Sequence, residues 1–93
     1  MKRTVRVLVE GVVQGVGYRA FVEDEALARG IAGWVRNRRT GQVEAVFCAE
    51  PDVVEAMIET CRQGPRQARV ERVDVTEMPA GEEPAGFRIL PTH

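Results

Sequence analysis

The stretch Glu10-Gly11-Val12-Val13-Gln14-Gly15-Val16-Gly17-Tyr18-Arg19 constrains this chain more than any other, because an alternating apolar run ends in it and a helical run begins. It reads as a strand, a glycine-rich loop and the start of a helix. Three glycines within seven positions leave the backbone free to take positive φ and to turn successive N–H groups toward one point, a concavity suited to anions. The helix would start near Tyr18 or Arg19, so its unpaired first-turn N–H groups and the positive end of its dipole face the same spot. A cation in that first turn is locally unfavourable. Arg19 makes better sense with an oxyanion between it and the loop, since its planar fork of donors suits a phosphate or carboxylate. A plainer reading stands beside this one: the glycines are turn punctuation and Arg19 pairs with Glu23 one helical turn on. The residues alone leave both open.

Two phosphate motifs can be tried against the loop. A P-loop needs glycine, four residues, then Gly-Lys-Ser/Thr, and no lysine follows any of these glycines. Gly15-Val16-Gly17-Tyr18-Arg19-Ala20 does match the Gly/Ala-terminated dinucleotide fingerprint. However, Arg36, Asn37 and Arg38 occupy the region where its acidic residue belongs, and a chain of 93 residues is too short for a doubly wound sheet.

Ninety-three residues, 44% of them apolar, suit one domain with a real core. Thirteen basic and fourteen acidic residues leave a formal charge of −1, so no global field draws the chain to nucleic acid or membrane. Any basic site must be local. Cys48 and Cys61 lie within apolar patterns and have no metal-ligand or CxxC spacing, so they read as buried free thiols, which favours a reducing cytoplasm. Residues 1–4 lead straight into a strand pattern, and the chain shows no signal-peptide core and no spanning apolar segment.

Residues 4–10 alternate, with Val5, Val7 and Val9 on one face. A helix is expected from Tyr18 toward Ile31, ended by Gly30; its inner face is ambiguous, Leu27 and Ile31 making one stripe and Val22 and Ala26 another. Gly33 to Asn37 and Gln42 to Cys48 form a hairpin about Arg38-Arg39-Thr40-Gly41. A second helix starts at Glu50-Pro51-Asp52, buries Val54, Met57, Ile58 and Cys61, and stops at Gln63-Gly64-Pro65. From Ala68 to Met78 the alternation changes phase between Val70 and Val73, which predicts a bulge near Glu71-Arg72. Residues 79–84 read as loop, Gly86 to Leu90 as a short last strand, and His93 as part of a frayed tail. The order β-α-β-β-α-β with a short extra strand is that of an α+β, ferredoxin-like sandwich, a split βαβ. Four or five antiparallel strands in the order 4-1-3-2 would carry both helices on one face.

Across nearly its whole length the sequence resembles the acylphosphatase family. One family signature stands here as Val9-Glu10-Gly11-Val12-Val13-Gln14-Gly15-Val16-Gly17-Tyr18-Arg19, departing only at Tyr18, where Phe or Met is usual. The other stands as Gly33-Trp34-Val35-Arg36-Asn37-Arg38-Arg39-Thr40-Gly41-Gln42-Val43; further on, Ala49 replaces a usual glycine. The resemblance implies hydrolysis of acyl phosphates to carboxylate and inorganic phosphate, without metal or cofactor. Arg19 would then bind phosphate as a catalytic residue and Asn37 would orient the attacking water. The backbone N–H groups of Gln14, Gly15, Val16, Gly17, Tyr18 and Arg19 would complete the cradle, for which inorganic phosphate or sulfate would be a product-like ligand.

The residues are compatible with that chemistry. An acyl phosphate expels a carboxylate of low pKa, so positioning and charge stabilisation can supply most of the catalysis. Asn37 is neutral and cannot take the proton from water, which leaves a phosphate oxygen of the substrate to do so. The competing class is a non-catalytic ferredoxin-like module holding an anion or RNA through Arg19, Arg36, Arg38 and Arg39. With five aromatic residues in all and no paired aromatics on the strands, an RNA reader is disfavoured. A further relative is the acylphosphatase-like domain of larger carbamoyl-phosphate-using maturation proteins, against which a free-standing monomeric enzyme is favoured.

Overall fold

The structure, a computed structural model, describes residues 1–79 and 84–93. Its elements are β1 (Arg3–Val12), α1 (Tyr18–Ala28), β2 (Ala32–Asn37), β3 (Val43–Ala49), α2 (Pro51–Gln63), β4 (Arg69–Met78) and β5 (Phe87–Ile89). One sheet in the order β4-β1-β3-β2-β5 carries them, with the expected order of the first four strands. Val5, Val7 and Val9 of β1 lie opposite Phe47, Ala45 and Val43 of β3. Together with Val35, they meet Tyr18, Val22 and Ala26 of α1 and Val54, Met57, Ile58 and Cys61 of α2 in one buried cluster. Both helices therefore cover the same face of the sheet. Ala49 ends β3 without positive φ, so alanine at that position introduces no backbone strain.

Glu10 pairs with Arg72 and Gly11 with Val70, leaving Glu71 as the extra residue of a bulge where one was expected. The bulge lets Ala68 and Val70 on one side of it, and Val73 and Val75 on the other, all pack against the core. The ambiguity in α1 is resolved by its C-terminus. Gly30 adopts φ 69°, its N–H donates to the Leu27 carbonyl, and the N–H of Ile31 reaches back to the Ala26 carbonyl at 2.9 Å. This Schellman turn swings Ile31 into the core although it lies beyond the helix, while Leu27 stays 56% exposed. Burial pushes the Cys61 thiol up to about 12; both cysteines are free and buried.

Two expectations need correction. β5 runs parallel to β2, not antiparallel, so the sheet is mixed. β4 runs against β1, and β1 and β2 both run against β3. A chain leaving β4 therefore emerges at the end of the sheet where β2 begins, and joins β2's open edge travelling the same way. The tail, moreover, is tied down. Beyond β5, Leu90 N–H donates to Val35 C=O at 2.9 Å and His93 N–H to Asn37 C=O at 3.0 Å, while His93 C=O accepts from Arg39 N–H. The edge of β2 had unpaired backbone groups to offer, and the last residues take them. The loop expected over 79–84 falls mostly outside the described residues.

Among the described residues, the sheet's other face has one buried charge. Glu44, 2% exposed, accepts from Arg6 Nε at 2.5 Å on one oxygen, and from Arg36 Nε at 2.7 Å and Arg38 Nη1 at 3.0 Å on the other. Burial by itself would raise its pKa, but the three guanidinium hydrogen bonds together outweigh burial and bring it from 4.5 to about 2. Because the folded-state value is depressed, the ionised carboxylate stabilises the fold above the ordinary carboxylate range, and that contribution is lost as pH falls through about 2. Glu44→Gln is expected to cost about 2–4 kcal/mol at neutral pH, since it leaves guanidinium groups crowded without a counter-charge. It should also flatten the acid limb of the stability curve between about pH 4.5 and 2. Urea titrations of both proteins across that range check the sign.

Candidate active site

Because β1, β2 and β5 all run the same way, they deliver their C-terminal ends to one end of the sheet. There the loop after β1, the N-terminus of α1, Asn37 at the end of β2 and Ile89 at the end of β5 line a cleft of about 220 Å³. The lining residues are Val13, Gly15, Gly17, Tyr18, Arg19, Ala20, Asn37 and Ile89.

The loop's shape follows from its glycines. Gly15 and Gly17 have φ 73° and 79°, while the intervening Val16 is not left-handed. This alternation of sign turns neighbouring N–H groups inward as an anion nest. A Cβ at either glycine would meet nothing within 4 Å, so glycine is required there by backbone conformation and not by crowding. Gly17 is the left-handed N-cap of α1. Among the described residues no side chain caps the helix, and no acidic residue lies in its first turn, so its leading N–H groups and dipole remain available to an anion.

Tyr18 starts the helix with its ring buried and its hydroxyl donating to the Cys61 carbonyl at 2.8 Å. Burial first, and then the nearness of Cys61, push its phenol pKa up, so it is a neutral tether from the site to α2. The hydroxyl that sets it apart from the family's Phe or Met has thus found a partner.

Arg19 is half-buried at the cleft. Among the described residues it makes no ion pair: the i,i+4 contact in α1 is Arg29 with Glu25, and Glu23 does not hold Arg19. Asn37 supplies the complementary feature. Its Oδ1 is buried without a hydrogen-bond partner among the described residues, a state that costs about 1–3 kcal/mol and calls for a functional reason. Asn37 as a residue lines the cleft, and a carboxamide turned toward it can hold a water molecule there.

Of the residues singled out from sequence, the cleft brings together Gly15, Gly17, Tyr18, Arg19 and Asn37. The side chains of Gln14 and Val16 do not line it: Val16 packs against the core, and the Gln14 side chain reaches the β2–β3 turn, so any part they take in the cradle falls to their backbone N–H groups. Arg36 and Arg38, which a basic anion-binding module would need beside Arg19, are committed to Glu44 on the sheet's other face. Val13, Ala20 and Ile89 were not anticipated. Ile89 could not have been, because nothing in its own stretch shows that β5 ends beside α1. Among the described residues no three His, Cys, Asp or Glu side chains converge as metal ligands, and no helix is long and apolar enough to cross a membrane.

A ferredoxin-like α+β sandwich with an anion nest between its first strand and helix, an arginine on that helix and an asparagine facing it defines a class of small phosphate-handling proteins. The acylphosphatase family model matches residues 5–89, and the chain belongs to that family. An acylphosphatase of Azorhizobium caulinodans is 48% identical over 92 residues, covering 99% of both chains. Among solved structures, the acylphosphatase of Bacillus subtilis superposes with a TM-score of 0.92 at 37% identity, over 97% of this chain and 99% of that one. An acylphosphatase from Coxiella burnetii does so with a TM-score of 0.90 at 35% identity, over 96% and 93%.

Proposed function

We propose that the chain is an acylphosphatase, hydrolysing a small acyl phosphate to a carboxylate and inorganic phosphate. The observation that carries this is a single cleft in which the glycine nest, the helix end and Arg19, which makes no ion pair among the described residues, meet Asn37, whose Oδ1 has no hydrogen-bond partner among them. The first three supply donors and positive charge for a phosphoryl group. Asn37 holds water by accepting one of its O–H bonds, which directs an oxygen lone pair at phosphorus. Water then attacks in line: a P–O bond to water forms and the P–O bond to the acyl group breaks. The carboxylate leaves with the electron pair, and a phosphoryl oxygen takes the proton that Asn37 cannot. The leaving group is already a weak base, so no general acid is needed, and stabilising charge on the equatorial oxygens is the main task left to the protein. One chain carries every group used, so the reading needs neither a cofactor nor a second subunit.

The test is to incubate chelator-treated protein with benzoyl phosphate in ¹⁸O-water and follow both products. Release of benzoate and phosphate with the label in phosphate is expected. Label in benzoate would move the attack to the acyl carbon. Absence of hydrolysis, together with a salt-dependent shift of RNA, would replace the enzyme by a binding module.

A further inference from the structure

Gln14 opens the loop, yet its side chain faces the β2–β3 turn. Its Nε2 donates to two main-chain carbonyls, those of Arg38 and Gln42, each at 2.8 Å. Only the NH₂ end of an amide can face two carbonyls at once, so these bonds fix which way the side chain points. Arg38 directly follows Asn37, and its own N–H donates to the same Gln42 carbonyl at 2.8 Å. The turn is held from other sides as well: Arg38 through its guanidinium on Glu44, and Gln42 through a 2.8 Å hydrogen bond to Glu10. One carboxamide thus fastens the loop bearing the anion nest to the strand end bearing Asn37.

We infer that Gln14 is a positioning residue whose side chain sets the spacing between the phosphate-holding loop and Asn37, and so the aim of the attacking water. This rests on the reading of Asn37 given under Proposed function. Substrate and water must meet within a few tenths of an ångström of the productive geometry, and misplacement by about 1 Å is enough to cost up to about 10²-fold in rate. The nest itself is shaped by Gly15 and Gly17, so loosening this tie is expected to harm turnover more than phosphate affinity.

A mutant cycle in the intact protein tests this, comparing Gln14→Met, Asn37→Ala and the double variant for turnover of benzoyl phosphate and inhibition by inorganic phosphate. Gln14→Met is expected to lower kcat about tenfold, to change phosphate inhibition less than about threefold, and to add less than about twofold to the loss in Asn37→Ala. Losses that multiply, or phosphate affinity that falls as far as kcat, overturn the inference and leave the Asn37 reading intact. Undiminished turnover in Asn37→Ala overturns both. If Gln14→Met fails to fold, Gln14→Glu provides an independent readout: its ionised carboxylate cannot donate, whereas its protonated form donates once. Its kcat relative to wild type is expected to rise as pH falls through about 6 to 4, and a ratio that stays flat overturns the inference.

Discussion

Arg19→Lys is expected to lower kcat/KM for benzoyl phosphate by on the order of 10² or more, although the net charge of the site does not change. Among the described residues Arg19 has no acidic partner, and it stands at the positive end of α1, where a cation is otherwise unwelcome. What it can offer a phosphoryl group is a rigid pair of parallel N–H donors that meet two oxygens at once. Lysine offers a compact charge on a flexible stem, able to attract the anion but not to hold two oxygens as charge shifts among them. Steady-state kinetics should therefore show the loss mainly in turnover, and thermal unfolding should show a fold about as stable as wild type, since no hydrogen bond or ion pair of the guanidinium among the described residues is removed. Wild-type-like turnover would end the assignment.

Asn37→Ala is expected to reduce kcat by about 10² while inhibition by inorganic phosphate changes less than about threefold. The two quantities separate because phosphate is held by the nest, the helix end and Arg19, whereas Asn37 acts on water. A second consequence distinguishes this from ordinary damage. The substitution removes a buried oxygen that has no hydrogen-bond partner among the described residues, so the protein should be no less stable, and up to about 1–3 kcal/mol more stable, than wild type. Chemical denaturation alongside kinetics checks both. Parallel losses of phosphate affinity, turnover and stability would indicate a collapsed site.

The strands and helices were readable because each buries one face with a clear period. Val5, Val7 and Val9 alternate, Val54, Met57, Ile58 and Cys61 recur at helical spacing, and the change of phase after Val70 marks the bulge. Where an interaction skips that period, the reading weakened. Ile31 is buried through a C-terminal turn and Leu27 is left outside, which stripes of hydrophobicity cannot distinguish. The direction of β5 and the anchoring of residues 90–93 depended on the free edge of β2, a property of the assembled sheet and not of those residues.

For the site, the chain by itself determined the glycine loop, the arginine at the helix start and, through two family signatures, an asparagine at the end of a strand; local backbone preferences and residue chemistry suffice for these. Only the tertiary structure decided that Asn37 lines one cleft with that loop, that its amide oxygen is buried without a hydrogen-bond partner among the described residues, and that Gln14 spans the two. These facts arise from three strands running the same way in one sheet, which brings together residues far apart along the chain. No local propensity encodes such a meeting, because it exists only once the strands have paired.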